Sequence, residues 1–583
     1  MAARKRSYGK VAVFGVAGVI LLFTAISLGS GKITLAGLLS TAAEVPNVPV
    51  KKEYGNTIDQ LKVKVAVVKS DSAYAANIKY PEILRMVREA VNLSGGLGHL
   101  VTDGKTVLLK PNIVNDYPNR TIEVNGATTD YRVVQAVVQI VRELNPSGKI
   151  ILAEGSGGDL ATMQNLTRLK YLDITGIDYV MTFEAFSGEY RDFQSDSLIA
   201  VSLPDSLTKY PDTLKPNQNR KIYYNKRYFQ ADVVISIPVL KNHGRAGVTG
   251  GVKNVGIGCT PANLYADKTD AKPYLRSTVI VHDEVNLDKW IHDYYIGRPV
   301  DFVIMDALQG GSSGPGVGGN NLTAIKRNQH NMRLILAGRD AVATDAVAGL
   351  IIGHDPQRAN HLVYIHNSGF GTVDPALIDV IGVKVHSVRK FFGFDGSFDT
   401  PTAFTKALSA DYQVSGTISN NILHLSVSNP EDLARISVKI DNQKINKYVV
   451  GGFNDITLGL DGIQVTRGEV EVFFEDRYLN PLTKTFTAQN LTSVYSPANN
   501  EKLSLFPNPA DAEVYLRLEN SKEGLYRIFV VDLSGRLVLL TDHVNTSGYF
   551  EHTLSLVKLT PGNYVIRMEC PDGYQIHSRF IKR

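Results

Sequence analysis

Two uninterrupted apolar runs constrain this chain most: "ADVVISIPVL" at 231–240 and "DFVIMDAL" at 301–308. Each has the length of one strand and no polar alternation. Strands of that kind are buried on both faces, which is the habit of parallel sheets covered by helices. Shorter runs lead up to them: "VKVAVVK" from Val63, "KTVLLKPN" from Lys105 and "GKIILAEGSGG" from Gly148. Between these lie segments with apolar residues at helical spacing. "YPEILRMVREAVNLSGG" ends in glycines, "TTDYRVVQAVVQIVRELN" offers Thr129 or Asp130 as a cap, and "RDAVATDAVAGLIIG" opens on Asp340 and closes on Gly353. Strand–helix alternation of this kind predicts an α/β domain with a largely parallel sheet, over 62–388.

From 389 to 495 the helical period fades. "NILHLSVS", "RISVKID" and "GEVEVFFED" read as antiparallel strands of a β-rich accessory or spacer module. From 496 the strands are short and separated by Pro507-Asn508-Pro509, Ser534-Gly535 and Pro561-Gly562-Asn563, predicting a small β-sandwich. The fold class expected is therefore an α/β core followed by β-sandwich-like C-terminal domains.

The N-terminus reads as an export signal over 1–43. Arg4, Lys5, Arg6 and Lys10 precede the apolar stretch Val11–Leu28, and "STAAE" at 40–44 offers small residues for cleavage. An uncleaved anchor is the alternative; after cleavage no stable membrane span is expected. Residues 44–61 read as a linker. With 583 residues the chain has room for about four domains. A net charge of +5 spread over that length gives no concentrated basic footprint, so no nucleic-acid partner is expected. Two cysteines, Cys259 and Cys570, exclude a disulfide scaffold and an iron–sulfur cluster bound by the four thiolates such centres use.

In open α/β sheets ligands bind beyond the carboxyl ends of the strands. Four polar or glycine-rich loops follow strands here. One starts at Pro111-Asn112, one at Glu154, one spans 241–258 and one spans 309–321. The loop from Lys241 places Lys241, His243, Arg245, Lys253 and Asn254 among glycines. Glycines let backbone N–H groups approach an anion, and the cations add charge. With Lys110, Asn112, Gly310 and Gly311, these residues predict a site for a small phosphorylated or carboxylated ligand. His243, His282, Asp306 and Asp345 are the candidate acid–base groups, and His243, His282 and Asp306 are a candidate set for a divalent metal. The chain lacks a Walker loop, a dinucleotide fingerprint, a G-x-S-x-G elbow and an H-E-x-x-H helix.

Two resemblances add to this. "FPNPA" at 506–510, "DLSGR" at 532–536, Leu559–Tyr564 and the basic end resemble the C-terminal sorting domain of the type IX secretion system. That resemblance implies Sec export, the type IX machinery as partner, passage across the outer membrane, and a secreted or cell-surface location. The blocks "VLLKPN", 231–258 with His282, 304–319, 334–356 and 369–383 resemble the domain-of-unknown-function 362 family. Its activity is unassigned. Members often carry a ferredoxin-like four-iron segment, whose cysteines this chain lacks. The segment at Glu154 departs from the acidic-serine-glycine pattern of the family. The function expected is an exported enzyme for a small anionic substrate, metal-assisted if the histidine set binds one. The alternative is a non-catalytic ligand-binding or surface-interaction protein.

Overall fold

Both apolar runs become strands in the centre of one sheet. The computed structural model describes residues 57–58, 63–115, 117–183, 198–215, 219–267, 272–393, 413–419, 421–428, 433–450, 455–460, 462–490, 503–519, 521–532, 536–546, 548–571 and 575–583. The export segment, and the linker apart from Thr57–Ile58, lie outside the described residues. The chain divides into two compact units: residues 61–407 with 477–480, and residues 49–60, 408–476 and 481–583.

The first unit is built on strands β1 (Val63–Lys69), β2 (Thr106–Pro111), β3 (Lys149–Glu154), β4 (Tyr179–Thr182), β5 (Val233–Ile237), β6 (Val239–His243), β7 (Phe302–Gly311), β8 (Gln329–Gly338) and β9 (Ile378–Gly382). Their order is β9-β1-β8-β7-β5-β2-β3-β4, with β6 continuing β5 past Pro238 alongside β7. Only β8 opposes its neighbours in this path; the remaining pairings are parallel. Successive residues of one strand enter opposite cores. Leu108 and Ile151 belong to one apolar cluster, while Val107, Leu109, Ile150 and Leu152 belong to the other. Helices α1 (Tyr80–Leu93) and α2 (Tyr131–Leu144) cover the second cluster. Helices α3 (Gly250–Gly258), α4 (Asn286–Gly297), α5 (Ala341–Ile352) and α6 (Asn360–Asn367) cover the first. Each aliphatic side chain so buried contributes roughly 1.5–3 kcal/mol relative to exposure. The largely parallel α/β core expected from sequence is the core observed.

Caps agree with the sequence reading. Asp130 accepts a hydrogen bond from the Arg132 N–H (2.9 Å) to start α2, and Asp340 accepts one from the Ala343 N–H (3.0 Å) to start α5. Gly353 ends α5 in the left-handed region at φ 80°.

The second unit holds two separate apolar clusters. Leu423 and Leu425 from one sheet pack with Val438, Val472 and Phe474 from another. Val514 and Leu516 pack with Ile528, Val530, Ile566 and Phe580 in the same way. Among the described residues pairing is antiparallel, except that Val414–Ser419 runs parallel to Gln489–Asn490 and Ala510 bridges Lys582 in parallel. Thr57–Ile58 pair with Tyr448 and Val449, within a stretch the sequence reads as linker.

The structure corrects one loop. Gly310 and Gly311 belong to β7 and lie against neighbouring parts of the chain. A Cβ on Gly311 would meet the Gly126 carbonyl oxygen at 2.2 Å, and one on Gly126 would meet the Gly310 carbonyl oxygen at 2.5 Å. The glycines are there because two backbones touch. Gly126 also sits at φ 70°, so Gly126→Ala combines a backbone clash with a left-handed conformation. We expect it to lower stability by about 1–3 kcal/mol, read as a shift in the denaturant midpoint.

Candidate functional site

The loop from Lys241 is not a loop. It runs as β6, a short turn, a two-residue strand Gly247–Val248 paired back on β6, and then helix α3. Glycine weakens helices in isolation, but here each position faces a close neighbour. A Cβ on Gly251 would lie 2.7 Å from the Val303 side chain, and one on Gly258 would lie 2.8 Å from Lys110 Nζ. The free N–H groups expected to bind an anion at this helix start are already taken. Asp345, reaching from α5, accepts from the Gly251 N–H at 2.6 Å and the Val252 N–H at 2.9 Å. Asp345 is therefore a capping group rather than an acid–base residue on the rim, and burial pushes its carboxyl up to about 7.

A cavity of about 330 Å³ opens at the carboxyl ends of β2, β3 and β6. Asn112, Glu154, Gly155, His243, Lys253 and His282 are among its walls, with Arg245, Thr249 and Arg276. Beneath it lies a buried polar network. Lys110 Nζ donates to Glu154 Oε1 (2.5 Å), to the Pro111 carbonyl (2.7 Å) and to Asn254 Oδ1 (3.2 Å). Glu154 also accepts from the N–H groups of Ile113 (2.9 Å) and Gly155 (2.8 Å). Asn254 donates to the Lys110 carbonyl and to Ser236 Oγ, and its Oδ1 accepts from Asn112 Nδ2 (3.0 Å). That leaves Asn112 Oδ1 buried with no hydrogen-bond partner among the described residues; Thr249 Oγ1 is in the same position. Lys110 thus supports the site from below instead of lining it.

The two cavity histidines are held in opposite tautomers. His243 Nδ1 accepts from the N–H groups of Arg245 and Ala246 (both 3.2 Å), so its proton sits on Nε2. His282 Nδ1 donates to the Ile280 carbonyl (2.7 Å), so its Nε2 carries a lone pair. Burial, then the charges of Lys253, His282, Lys241 and His361, hold His243 well below its ordinary value. Burial lowers His282 to about 4; its hydrogen bond to Ile280 opposes this and Lys253 adds to it. Both are neutral at pH 7, one offering a donor and the other an acceptor.

Lys253 is 8% exposed and makes no hydrogen bond or ion pair among the described residues. Burial brings its amine down to about 8; Asp288 opposes the shift and Lys110 adds to it. Behind it, Asp288 accepts from His361 Nδ1 (3.0 Å). Arg276 was not singled out from sequence. It is 2% exposed and donates to the carbonyls of Ser156, Tyr274 (2.7 Å) and Thr260 (3.0 Å). Only contacts distant in sequence distinguish it from any surface arginine. Arg245, half exposed, pairs with Glu284 at 3.1 Å.

Other candidates lie elsewhere. Lys241 Nζ is fully buried and donates to the carbonyls of Ala127 (2.6 Å) and Pro315 (3.3 Å), fastening two loops. Asp306 accepts from the N–H groups of Asp130 (2.7 Å) and Leu308 (3.0 Å), and burial with the neighbouring Asp130 pushes it up to about 7. His243, His282 and Asp306 do not come together as ligands; no group of three His, Cys, Asp or Glu side chains among the described residues could hold a metal ion. Cys259 is buried, which pushes its thiol up to about 12. Trp290 is packed, donating to the Gly256 carbonyl at 3.1 Å.

A second constellation imitates a hydrolase triad. His292 Nδ1 meets Asp293 (2.8 Å) and its Nε2 meets Ser368 Oγ (2.8 Å). Yet the N–H groups of Ser368, Gly369 and Phe370 all donate to carbonyls of α6, so this corner supplies no local oxyanion hole.

A mostly parallel α/β core with a cationic cavity beyond its strands, followed by antiparallel β units, is the class the structure defines. Residues 107–349 match the family described as domain of unknown function (DUF362), and residues 504–583 match the secretion system C-terminal sorting domain. The sorting domain indicates export by type IX secretion, to the cell surface or beyond it. No helix among the described residues is long and apolar enough to cross a membrane. The thylakoid-associated protein sll1697 of Synechocystis sp. is 30% identical over 208 residues, covering 35% of this chain. The chain spans about half the length, 52%, of that relative. Among solved structures, dimeric latent PorU from Porphyromonas gingivalis aligns with 32% of this chain and 21% of its own (16% identity, TM-score 0.14). SGBP-B of the Bacteroides ovatus mixed-linkage glucan utilization locus aligns with 29% and 45% (14% identity, TM-score 0.11). Likeness at that level carries no argument.

Removing one partner of a buried ion pair leaves the other charged and unpaired. Lys110→Met should therefore destabilise the core by about 3–5 kcal/mol, measured by denaturant unfolding. The histidines predict an acid limb. A folded-state value below the unfolded one means the unfolded chain takes up protons first. Stability from neutral His282 is thus present above pH 6.5 and lost as pH falls through about 4. His282→Gln should flatten that limb in a plot of unfolding free energy against pH.

Proposed function

We propose that this chain is an exported enzyme that binds a small carboxylated or phosphorylated substrate and moves protons on it. One observation carries the reading: an unpaired buried ammonium shares a cavity with two neutral imidazoles of opposite tautomer. Lys253 attracts the anionic group, joined by Arg245 on the wall, while Arg276 braces that wall through backbone carbonyls. His282 Nε2 accepts a proton, and the His243 Nε2–H donates a hydrogen bond to the oxygen on which charge develops. Asn112 and Thr249 present polar atoms that a ligand hydroxyl can satisfy. Lys110, Glu154, Asn254 and Asp345 hold helix α3 and its lysine in place. The N-terminal segment would direct Sec export ahead of type IX sorting.

A bound anion favours the charged form of Lys253 and so raises its value from about 8. Binding at pH 8.5 should then take up a proton, while binding at pH 6.5 should not. Calorimetric titration of the full chain with inorganic phosphate, succinate and lactate, in buffers of different ionisation enthalpy, reads this directly. A ligand at 100 times its Kd should add about 2.7 kcal/mol to stability. Lys253→Met should abolish both effects. An absence of stabilisation by every member of that panel sinks the reading.

A further inference from the structure

We infer that Lys253 is a nucleophile that forms an imine with the carbonyl carbon of a short 2-oxo acid, and that it is not only an electrostatic anchor. The inference rests on the proposed anion site and names its substrate class. Three features of the geometry point to it.

Lysines that brace a fold are provided with hydrogen-bond acceptors, and this core shows two of them. Lys110 has Glu154, the Pro111 carbonyl and Asn254; Lys241 has the carbonyls of Ala127 and Pro315. Lys253, buried on helix α3, has none among the described residues and lines the cavity. A desolvated lysine beside other cations is the arrangement that frees an amine lone pair near neutrality. Its value of about 8 is in keeping with that. The second feature is the histidine pair, which separates the two functions that addition to a carbonyl needs. The His243 Nε2–H donates to the carbonyl oxygen and His282 Nε2 accepts from the nitrogen. The third is the half-exposed Arg245 on the cavity wall, which keeps positive charge there beside its partner Glu284 and suits a carboxylate adjoining the carbonyl.

The step balances without an oxidant. The Nζ lone pair of neutral Lys253 forms the C–N bond while the carbonyl π pair moves to oxygen. His282 takes one proton from the resulting ammonium nitrogen and returns it to that oxygen, giving a carbinolamine. The nitrogen lone pair then expels the hydroxyl group, which leaves as water with one proton from solvent. Overall the ammonium form of Lys253 and the ketone become a protonated imine and water.

The test is reductive trapping on the full chain at pH 8. Pyruvate, glyoxylate and 2-oxoglutarate are each added with cyanoborohydride, and the peptides are mapped by mass spectrometry. The expected result is one oxo-acid-dependent adduct on the Lys253 peptide, lost in Lys253→Arg and slowed at least tenfold in His282→Gln. Circular dichroism of both variants verifies that they fold. Labelling of surface lysines alone, equal in Lys253→Arg, overturns the inference. Thermal stabilisation by an oxo acid without an adduct at Lys253 also overturns it, while leaving the anion site standing. Neither stabilisation nor adduct removes the site and the inference together.

Discussion

The buried pair of Lys110 and Glu154 holds the site together. It joins the ends of two adjacent parallel strands, and through Asn254 it fixes helix α3 above them. Two charges removed from water are costly unless every remaining lone pair and proton is used. Here they are used: Glu154 accepts from Lys110 and two backbone N–H groups, and Lys110 donates to three acceptors. The same pair accounts for Gly258, since any side chain there would collide with the lysine head group. One ionic contact thereby sets the end of a helix, the floor of a cavity and the place of Asn112.

The sheet was legible because parallel strands announce themselves as unbroken apolar runs, and because Asp130, Asp340 and Gly353 carry recognisable capping chemistry. Helix α3 was not legible. Its glycines lower helix propensity, and what outweighs that is tertiary: the Val303 and Lys110 side chains and the Asp345 carboxylate occupy the space where Cβ atoms would stand. Gly310 and Gly311 misled for the same reason. Glycine at a ligand and glycine at a backbone crossing look alike in sequence, and only the identity of the approaching atom separates them.

Part of the site could be read as residue types and part could not. His243, Lys253, Asn112 and Arg245 drew notice from their setting after strands, and His282 from its place by a short apolar run; all five line one cavity. Lys241, Asp306 and Asp345 carried the same signal but spend their polar atoms on backbone groups. No local pattern tells a lysine that meets carbonyls from one that meets nothing. The tautomers were equally hidden, because each depends on one backbone group, the Ile280 carbonyl or the N–H groups after His243.

Lys253 also carries a thermodynamic consequence. Its folded value lies below the ordinary one, so the folded chain holds this proton less tightly than the unfolded chain does. The stabilising share of that difference is present above about 10.5 and lost as the pH falls through about 8. At neutral pH the Lys253 ammonium is thus held against its desolvation, and its charge pushes His243 and His282 further from protonation. An anion, or conversion of the amine to an imine in a carboxylated adduct, relieves that state by adding negative charge beside it. Lys110, fully enclosed and fully paired in the same core, shows the contrasting arrangement, in which a buried lysine is matched by acceptors.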